Sequence, residues 1–525
     1  MSRPSQHFKR ESLERILGLA LILFFMALQG SEAKSPGPLF YNQDCTEFFW
    51  HAEIEEGKAG QAIDQYVDVI ADAGVTVFFC NSNARRTNYR SKIWDAFWEG
   101  YDPAGPDDQP FLASIPKSDL AGYRKGVGNM LAVHQQGIDY PARVIQRCRS
   151  RGISPWISLR MNDCHYNDIP THPFHGRFWK KNPQFVRQSC TGYFATCLDY
   201  AHPEIRDFFM ALINETLERY DIDGLELDFM REPYLFSADQ EKEGGSLLTR
   251  WMRDVRKQVS VSAAKRGHPI QIGVRVPTRP DVSLAMGLDA GAWAREGLVD
   301  LVVASPRWST IDFDIAISEW RQLLGATKAT LAGGLEIRYQ SIPGGPASSV
   351  TPELAFGAAT LVLAKGADAV YLFNYFPGVF SPPVYQSTLR AMSSLDSLKK
   401  LPRRIGITHR DLKAPGEKYQ PLLPATGKQI TFPIKLGPMP EKSWRCDVVI
   451  GLAPDSSTPA PSVTMNGAPC EFLNENTTNG LRILSFRIPG ATWKEIEAHE
   501  IKVASKDDKP LIVQKVEVLF RPPDK

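Results

Sequence analysis

The chain has 525 residues, long enough for one large domain together with a second, smaller one. Its hydrophobic content of 43% and charged content of 23% are ordinary for a soluble globular protein. Because 61 basic residues nearly balance 59 acidic ones, for a formal net charge of +2, the composition argues against nucleic acid or another polyanion as the partner.

The first 33 residues differ in character from the rest. Basic residues between positions 3 and 15 precede an apolar run over 16–28, and Ser31-Glu32-Ala33 places small residues at the spacing of a signal-peptidase site. The apolar run is shorter than the ~20 residues that a spanning helix needs. We therefore predict a signal peptide over 1–33 and a protein that is secreted, periplasmic or on the cell surface, without a stable membrane span once this segment is removed.

Strand-like segments then alternate with helical ones as far as residue 402. Amphipathic or helix-forming stretches include 62–73 and 204–220, and strands are predicted over 46–51, 75–80, 154–162, 223–229, 270–276, 301–306, 330–337 and 369–375. These units predict an α/β fold, a (β/α)8 TIM barrel over 34–402. An open doubly wound sheet would carry a Gly-rich nucleotide loop after its first strand, and the sequence has none there.

Two long loops interrupt the alternation, at 81–136 and 163–199. Insertions of this size in a barrel usually lie on the catalytic face. The second loop contains His165, which is either an ordinary hydrogen-bonded loop histidine or a ligand for sugar hydroxyls.

Short alternating runs with turn residues begin at Arg403 and continue to the end of the chain. Asn466-Gly467 is a strong hairpin turn between two such runs. The spacing predicts an all-β sandwich domain over 403–525. A carbohydrate-binding role and a role limited to packing on the barrel both stay open for it.

All eight cysteines lie after the predicted signal peptide. An even number in an exported chain permits disulfides. Cys190 and Cys197 could close a hairpin, and Cys446 and Cys470 could join two strands. No Cys-x-x-Cys pair or His-x-His cluster indicates a metal, and no cofactor is predicted.

The stretch 221–233 carries two acids inside a predicted strand. Leu225, Leu227 and Phe229 alternate with Glu226 and Asp228, so a strand places the apolar side chains on one face and both carboxyl groups on the other. In a barrel, Asp228 would face the mouth and Glu226 would lie one layer below it. The structural alternative is a carboxylate pair held by arginines in an ion-pair network.

The sequence around this strand also matches a known pattern. The matching segments are Leu198-Asp199-Tyr200-Ala201-His202-Pro203-Glu204-Ile205-Arg206, Asn214-Glu215, Tyr220 and Asp223-Gly224-Leu225-Glu226-Leu227-Asp228-Phe229-Met230-Arg231-Glu232-Pro233. Over about 198–234 the chain resembles the glycosyl-hydrolase-like family 10 proteins, and elsewhere the likeness is architectural. The resemblance implies a TIM barrel with secreted glycosidase activity, and Asp228 falls on the family's fourth-strand Asp.

A fainter likeness connects 223–230 with chitinase-type barrels, whose fourth strand reads Asp-x-x-Asp-x-Asp-x-Glu. Here Glu226 replaces the middle Asp, and Met230 stands where the catalytic Glu would be. We therefore exclude chitinase chemistry.

Glycoside cleavage needs one carboxylic acid to protonate the leaving oxygen and a carboxylate on the other face of the sugar. We predict Asp228 and Glu336, on strands four and seven, as this catalytic pair. The alternative for Glu336 is a salt bridge to Arg338 or Arg275. If strand seven supplies no catalytic acid, the next candidates are Glu232, Asp163 and Asp312.

Other side chains at the predicted mouth would bind substrate. Arginines would favour an ionised carboxylate, and aromatic rings after strands six to eight can stack on sugar rings. The predicted substrate-binding residues are Arg160, Asn162, His165, Glu226, Arg231, Arg275, Trp308, Arg338, Tyr339, Asn374 and Tyr375, and no residue is predicted as a metal ligand.

The sequence thus predicts an exported glycoside hydrolase that cleaves O-glycosyl bonds of a poly- or oligosaccharide. One alternative is a carbohydrate-binding barrel without catalysis. The other is an exported hydrolase of a non-glycosidic bond, which no Gly-x-Ser-x-Gly elbow or metal-ligand set supports. No oligomeric state is indicated.

Overall fold

The structure is a computed structural model that describes residues 37–454, 456, 459–490, 498–507 and 509–523. The predicted signal peptide over 1–33 lies outside these residues. Pro38–Lys525 forms one compact unit. In the described part of the chain, no helix combines the length and the apolar character needed to cross a membrane.

Eight parallel strands close into a barrel, which confirms the predicted fold class. The strands up to residue 373 are β1 (Leu39–Gln43), β2 (Val77–Asn81), β3 (Ser154–Arg160), β4 (Gly224–Asp228), β5 (Gln271–Pro277), β6 (Leu301–Ser305), β7 (Thr330–Glu336), β8 (Arg338–Tyr339), β9 (Ser348–Ser349) and β10 (Ala369–Phe373). Around the barrel their order is β1-β10-β7-β6-β5-β4-β3-β2. Outside it, β8 and β9 form a small antiparallel pair.

Helices connect the strands. The longest, Glu241–Arg266, buries Leu248, Met252 and Val255 along one face and ends at Gly267, whose φ of +79° suits a glycine C-cap. In chain order the helices are α1 (Glu47–His51), α2 (Ala59–Asp72), α3 (Leu120–Gln135), α4 (Tyr140–Ser150), α5 (Arg177–Lys181), α6 (Pro203–Arg219), α7 (Glu241–Arg266), α8 (Pro280–Ala285), α9 (Ala290–Arg295), α10 (Ile317–Leu324), α11 (Pro352–Ala364), α12 (Pro382–Ala391) and α13 (Leu395–Leu398).

The first barrel strand differs from the prediction. Within the predicted strand 46–51, Glu47–His51 form helix α1, and β1 lies upstream of them. Asp44 Oδ1 accepts hydrogen bonds from the backbone N–H of Thr46 at 2.9 Å and from its hydroxyl at 2.8 Å, a turn that leads into the helix. Phe48 and Phe49 then pack against Tyr140 of α4. A short apolar run buries its side chains in either conformation, so its periodicity did not distinguish helix from strand.

Aromatic and aliphatic side chains fill much of the barrel interior. Gly224 of β4 makes room for Trp156 of β3, because a Cβ at position 224 would lie 2.2 Å from the indole ring. The buried interior cluster consists of Phe40, Phe79, Trp156, Leu301, Val303, Ala332, Ala369, Tyr371 and Phe373.

The two long loops follow the carboxyl ends of β2 and β3. The first, predicted over 81–136, is helical in its last part, where α3 begins at Leu120. The second contains α5 and two turns of 3-10 helix, Pro183–Phe185 and Tyr193–Thr196. Both loops therefore extend from the barrel end at which active sites of this fold are found.

Two antiparallel sheets follow the barrel and form the predicted β-sandwich. Their strands are β11 (Arg403–Gly406), β12 (Ala425–Gly427), β13 (Gln429–Ile434), β14 (Arg445–Leu452), β15 (Ser462–Met465), β16 (Ala468–Pro469), β17 (Glu471–Thr478), β18 (Leu481–Arg487), β19 (His499–Ala504) and β20 (Leu511–Arg521). One sheet has the order β11-β20-β14-β18-β17, with β12 paired to β20, and the other has the order β13-β19-β15-β16. The sandwich packs closely on the barrel, since a Cβ at Gly357 of α11 would lie 2.1 Å from the carbonyl oxygen of Arg404.

Candidate active site

The two acids of β4 lie at different heights in the barrel interior. Asp228 is in register with Arg160 of β3 and Arg275 of β5, at the carboxyl end of the strand. Glu226 lies two residues earlier, in register with Ser158. The alternation along β4 thus places Asp228 at the mouth and Glu226 one layer below it.

Glu226 is held on both of its carboxyl oxygens. The Tyr371 hydroxyl donates to Oε1 at 2.8 Å, and Asn42 Nδ2 donates to Oε2 at 3.0 Å. Burial, followed by the nearby charge of Asp228, raises the pKa of Glu226 to about 7. Its donors and its depth fit a group that supports the barrel rather than one that contacts substrate.

Asp228 forms a buried ion pair. Its Oδ1 accepts hydrogen bonds from Arg275 Nε and from the backbone N–H of Met230, each at 2.8 Å. Within the described part of the chain, Oδ2 accepts no hydrogen bond. One oxygen of this carboxylate is therefore fixed, while the other is free to act.

Glu336, at the end of β7, is fully buried and only half satisfied. Its Oε1 accepts the backbone N–H of Ile337 at 2.9 Å, whereas Oε2 has no hydrogen-bond partner among the described residues. Burial raises the pKa of Glu336 from 4.5 to about 8, against the opposing effects of the Ile337 N–H and of Arg275 and Arg231. This shift favours the protonated form of the carboxyl group at neutral pH.

Arg275 interacts with both acids, because it donates a hydrogen bond to Asp228 and its charge acts to lower the pKa of Glu336. Its guanidinium lies 3.8 Å from the centre of the Phe373 ring, and Phe373 is in register with Glu336. Nε of Arg275 binds Asp228, but Nη1 and Nη2 have no partner in the described part of the chain. A half-satisfied arginine and a half-satisfied acid at one barrel end are typical of a site that receives a polar ligand. Phe373 was missed in the sequence, although its period-two spacing from Ala369 and Tyr371 indicated an inward position.

A second network surrounds Arg160. The guanidinium binds Asp44 and, at 3.0 Å, Asp163 Oδ2. His165 Nδ1 lies 2.7 Å from Asp163 Oδ1, and Nε2 lies 3.1 Å from Arg231 Nη2. Because arginine can only donate, His165 carries its proton on Nδ1 and donates it to Asp163. Burial acts to raise the pKa of Asp163, but His165 and Arg160 hold it well below its usual range.

The predicted substrate-binding role of Arg160 therefore conflicts with its contacts, because two carboxylates occupy its guanidinium. His165 differs, because its side chain remains 38% exposed at the mouth. Asp44 was missed because the first strand was misplaced. Once β1 is located, an acid directly after its carboxyl end is the expected kind of mouth residue.

Trp308 forms the exposed rim of the mouth. It is 36% exposed, with the Arg338 guanidinium 4.8 Å and the Arg231 guanidinium 5.9 Å from its ring centre. Asp411 holds the backbone here, accepting hydrogen bonds from the N–H of Trp308 at 2.6 Å and of Arg307 at 3.4 Å. Asp411 follows β11, beyond the barrel, and nothing in the sequence pointed to it.

Asn162 and Tyr339 were predicted to line the mouth, but their side chains make other contacts. The Asn162 side chain donates to the carbonyl oxygen of Leu198 at 2.9 Å and accepts its N–H at 3.0 Å, so it fastens the second loop. The barrel part of strand seven ends at Glu336, and Tyr339 belongs to the separate β8–β9 pair. There the Tyr339 ring packs beneath the sandwich, 5.3 Å from the ammonium of Lys515.

Asn374 and Tyr375 are buried directly after β10. Asn374 has a φ of +62°, a left-handed conformation that turns the chain at the strand end. Asn374 Oδ1 and the Tyr375 hydroxyl have no hydrogen-bond partner within the described residues. Burial, with the charge of Glu336 next, raises the pKa of Tyr375. Tyr375 is thus a buried hydroxyl near Glu336 rather than an exposed stacking platform.

The other candidate acids are engaged or lie elsewhere. Glu232 forms a two-pronged ion pair with Arg307, with contacts of 2.9 to 3.1 Å, and accepts the Tyr193 hydroxyl at 3.1 Å. Asp163 is held on both oxygens. Asp312 lines a cavity of about 290 Å³ against the segment that follows β11, where burial raises its pKa to about 6. Only Asp228 and Glu336 among these acids combine a place at the mouth with a free oxygen in the described structure.

A cavity of about 340 Å³ lies between the two long loops, a volume within the range of small-molecule sites. One wall is a stack of three rings in which Phe208 lies 4.3 Å from Trp94 and 3.7 Å from Phe178, centre to centre. Asp163 also lines it, whereas Asp228 and Glu336 do not. The cavity is therefore next to the arginine network rather than at the two acids. In the described part of the chain, no cluster of three or more His, Cys, Asp or Glu side chains is arranged to hold a metal.

Comparisons with solved structures find distant likenesses to this chain. Solved structures with a similar fold include the PgaB (BpsB) glycoside hydrolase domain from Bordetella bronchiseptica, which is 9% identical over 68% of this chain and 99% of that one, with a TM-score of 0.40. The maltogenic α-amylase AmyB from Thermotoga neapolitana is 11% identical over 92% and 98%, with a TM-score of 0.36. The chain spans 58% of the cycloisomaltooligosaccharide glucanotransferase from Paenibacillus sp., which is 10% identical with a TM-score of 0.34. Similarity this low says nothing about activity.

The family comparison is more specific. No curated protein matches the chain. The family model described as Glycosyl hydrolase-like 10 matches residues 117–338, a range that begins before α3 and ends just after β7. Both Asp228 and Glu336 lie in this range. Residues 117–338 of the barrel therefore match the glycosyl hydrolase-like 10 family model, as the resemblance around β4 predicted.

Proposed function

We propose that the protein is an exported glycoside hydrolase that cleaves O-glycosyl bonds of a poly- or oligosaccharide, with Glu336 as the general acid and Asp228 as the nucleophile or general base. The observation that carries the proposal is the contrast between these two acids. Burial raises the pKa of Glu336 and leaves its Oε2 without a partner in the described structure, whereas Asp228 is paired with Arg275 through one oxygen only. Glycoside cleavage requires one carboxyl group that donates a proton and a second that acts as the carboxylate, and the raised pKa of Glu336 suits the first of these roles.

The reaction follows from these contacts. Glu336 Oε2 gives its proton to the glycosidic oxygen as the bond to the anomeric carbon breaks. Asp228 Oδ2 either attacks that carbon, forming a glycosyl ester that water then hydrolyses with Glu336 taking the proton of the water, or removes a proton from the attacking water directly. The Nε–H of Arg275 keeps Oδ1 in place meanwhile. As Glu336 loses its proton, the positive charges of Arg275 and Arg231 stabilise the new carboxylate.

The mouth also offers contacts for sugar rings. Trp308 presents an exposed indole beside Arg338, and His165 and Arg231 line the same rim. The unpaired guanidinium nitrogens of Arg275 would donate to sugar hydroxyls. We propose that these groups hold the sugar next to Asp228 and Glu336.

A second candidate is a carbohydrate-binding barrel without catalysis. It is favoured by the burial of the two acids, because Asp228 is 1% and Glu336 0% exposed. Incubating the purified protein with a panel of oligo- and polysaccharides distinguishes the candidates. New reducing ends support the hydrolase, and saturable binding without cleavage supports the second candidate. If no glycan in the panel were cleaved or bound, both candidate functions would be contradicted.

The pH dependence of cleavage tests the role of Glu336. The acid must carry its proton, so we expect kcat/KM to fall as the pH rises through about 8, the value to which burial raises the pKa of this group. A pH profile of initial rates measures this alkaline limb. Glu226→Gln is the matched control, because the limb should persist without the Glu226 carboxyl group. A limb that vanishes in that variant would assign the ionisation to Glu226 instead.

Export remains a proposal that rests on residues 1–33. N-terminal sequencing of the protein from its native source should begin after Ala33. Detection of Met1 or of residues 16–28 in the mature protein would contradict it.

A further inference from the structure

The two ends of the second long loop lie close together in the fold. Asn162, just before the loop, binds both the N–H and the carbonyl oxygen of Leu198, at the end of the loop. Arg187 N–H also donates to the carbonyl oxygen of Cys197 at 2.9 Å. The hydrogen bonds between Asn162 and Leu198 therefore hold the two ends of the loop together.

Two cysteines face each other at this closure. Cys164 Sγ and Cys197 Sγ are 3.1 Å apart, both side chains are fully buried, and 33 positions separate them in the chain. This partnership differs from the one that sequence spacing suggested. Cys190 is only partly buried, and its thiol donates to the carbonyl oxygen of Gln188 at 3.2 Å.

We propose that Cys164 and Cys197 form a disulfide that closes the loop next to the mouth. The two thiols lose two protons and two electrons as the sulfur–sulfur bond forms. A small-molecule or protein disulfide of the glutathione type accepts both electrons and becomes two thiols. The proposal is independent of the reaction the barrel catalyses.

The proposed disulfide would stabilise the backbone next to the mouth. Cys164 lies between Asp163, which binds Arg160, and His165, which contacts Arg231. A covalent link at Cys164 would fix the backbone from which both of these side chains extend. It would also limit opening of the segment that carries Trp179 and lines the cavity of about 340 Å³.

Burial also determines when the bond can form. Thiol–disulfide exchange proceeds through the thiolate, and burial raises the pKa of the Cys197 thiol, so the folded protein would react slowly. The bond should therefore form as the chain folds, and it should afterwards resist reductants unless the protein is unfolded.

Peptide mapping tests the proposal without an activity assay. Full-length protein refolded with oxidised glutathione is alkylated in denaturant, digested without reductant and analysed by mass spectrometry. We expect a linked peptide pair containing Cys164 and Cys197, which separates on reduction. Two alkylated thiols at these positions, or a link between Cys190 and Cys197, would overturn the proposal.

Variants provide the matched comparison. Cys164→Ser should leave Cys197 open to alkylation, whereas Cys190→Ser should leave the linked pair intact. Limited proteolysis should cut within 165–196 several-fold faster in Cys164→Ser than in Cys190→Ser. Equal cutting of the two variants would show that the loop gains nothing from the bond and would contradict its structural purpose. If Cys164→Ser does not fold, the map of the unmodified protein decides alone.

Discussion

Replacing Glu336 by Gln is expected to lower kcat by about 10²- to 10⁴-fold, the usual contribution of a general acid. The amide keeps the shape of the side chain and can still accept the Ile337 N–H, but it has no proton to give to the leaving oxygen. Asp228→Asn should cost a similar factor, because its amide cannot attack or activate water. Initial rates on a glycan that the parent protein cleaves measure both losses.

Glu226→Gln is the matched control for these two variants. It removes a buried carboxyl group from the same strand, but one held on both oxygens by Tyr371 and Asn42. It should therefore retain clearly more activity than Asp228→Asn. If Glu336→Gln turned over substrate at the parental rate, β7 would supply no catalytic acid.

We expect Glu336→Gln to lose activity without losing stability. Burial raises the pKa of Glu336 from 4.5 to about 8, so between these values the folded protein binds the proton more tightly than the unfolded chain. The stability contributed by this group is complete below about 4.5 and is lost as the pH rises through about 8. Glu336→Gln does not lose stability in this way, because its amide does not ionise. At pH above 8 it should unfold at the same or a higher urea concentration than the parent protein.

Replacing Arg275 by Met is expected to lower the free energy of unfolding by about 3–5 kcal/mol, the usual cost of breaking a buried ion pair from one side. Arg275 is fully buried, and its Nε–H is the one side-chain donor to Asp228 in the described structure. Without it, Asp228 stays buried without a side chain that pairs with it directly, close to Glu226. Urea unfolding at neutral pH, with an unchanged dependence on urea, measures the difference.

Arg338→Met is the control for this prediction. Arg338 is partly exposed and lies over the ring of Trp308, 4.8 Å from its centre. Removing such a contact should cost only about 0.5–1 kcal/mol. If Arg275→Met and Arg338→Met lowered stability equally, the Arg275–Asp228 pair would not be the main electrostatic support of the mouth.

The sequence by itself determined the phase of the barrel strands. Because side chains alternate along a strand, Glu226, Asp228, Arg275 and Glu336 could be placed inside from their neighbours alone, and β4, β5 and β7 place them there. The depth difference between Glu226 and Asp228 follows from the same period. The roles of Asp228 and Glu336 stay predictions, since only activity measurements test them.

Local pattern failed where a segment's conformation depends on distant packing. Residues 46–51 are apolar enough for a strand, but they form α1 because Phe48 and Phe49 bury themselves against α4. The sequence pattern predicted that Tyr339 follows strand seven at the mouth. The chain leaves the barrel after Glu336, however, and carries the ring beneath the sandwich.

Tertiary structure alone decided which groups meet. Asp411 reaches the backbone of Trp308 across 103 positions of sequence, and Cys164 meets Cys197 across 33, because the folded barrel and its loops bring these segments together. The contrast between Asp228 and Glu336 has the same origin. Both are buried carboxyl groups on inward strand positions, and their environments differ because Arg275 donates its Nε–H to Asp228, whereas Glu336 accepts only the backbone N–H of Ile337. Alternation in sequence sets the direction of a side chain, but solvation and charge are set by every element that packs around it.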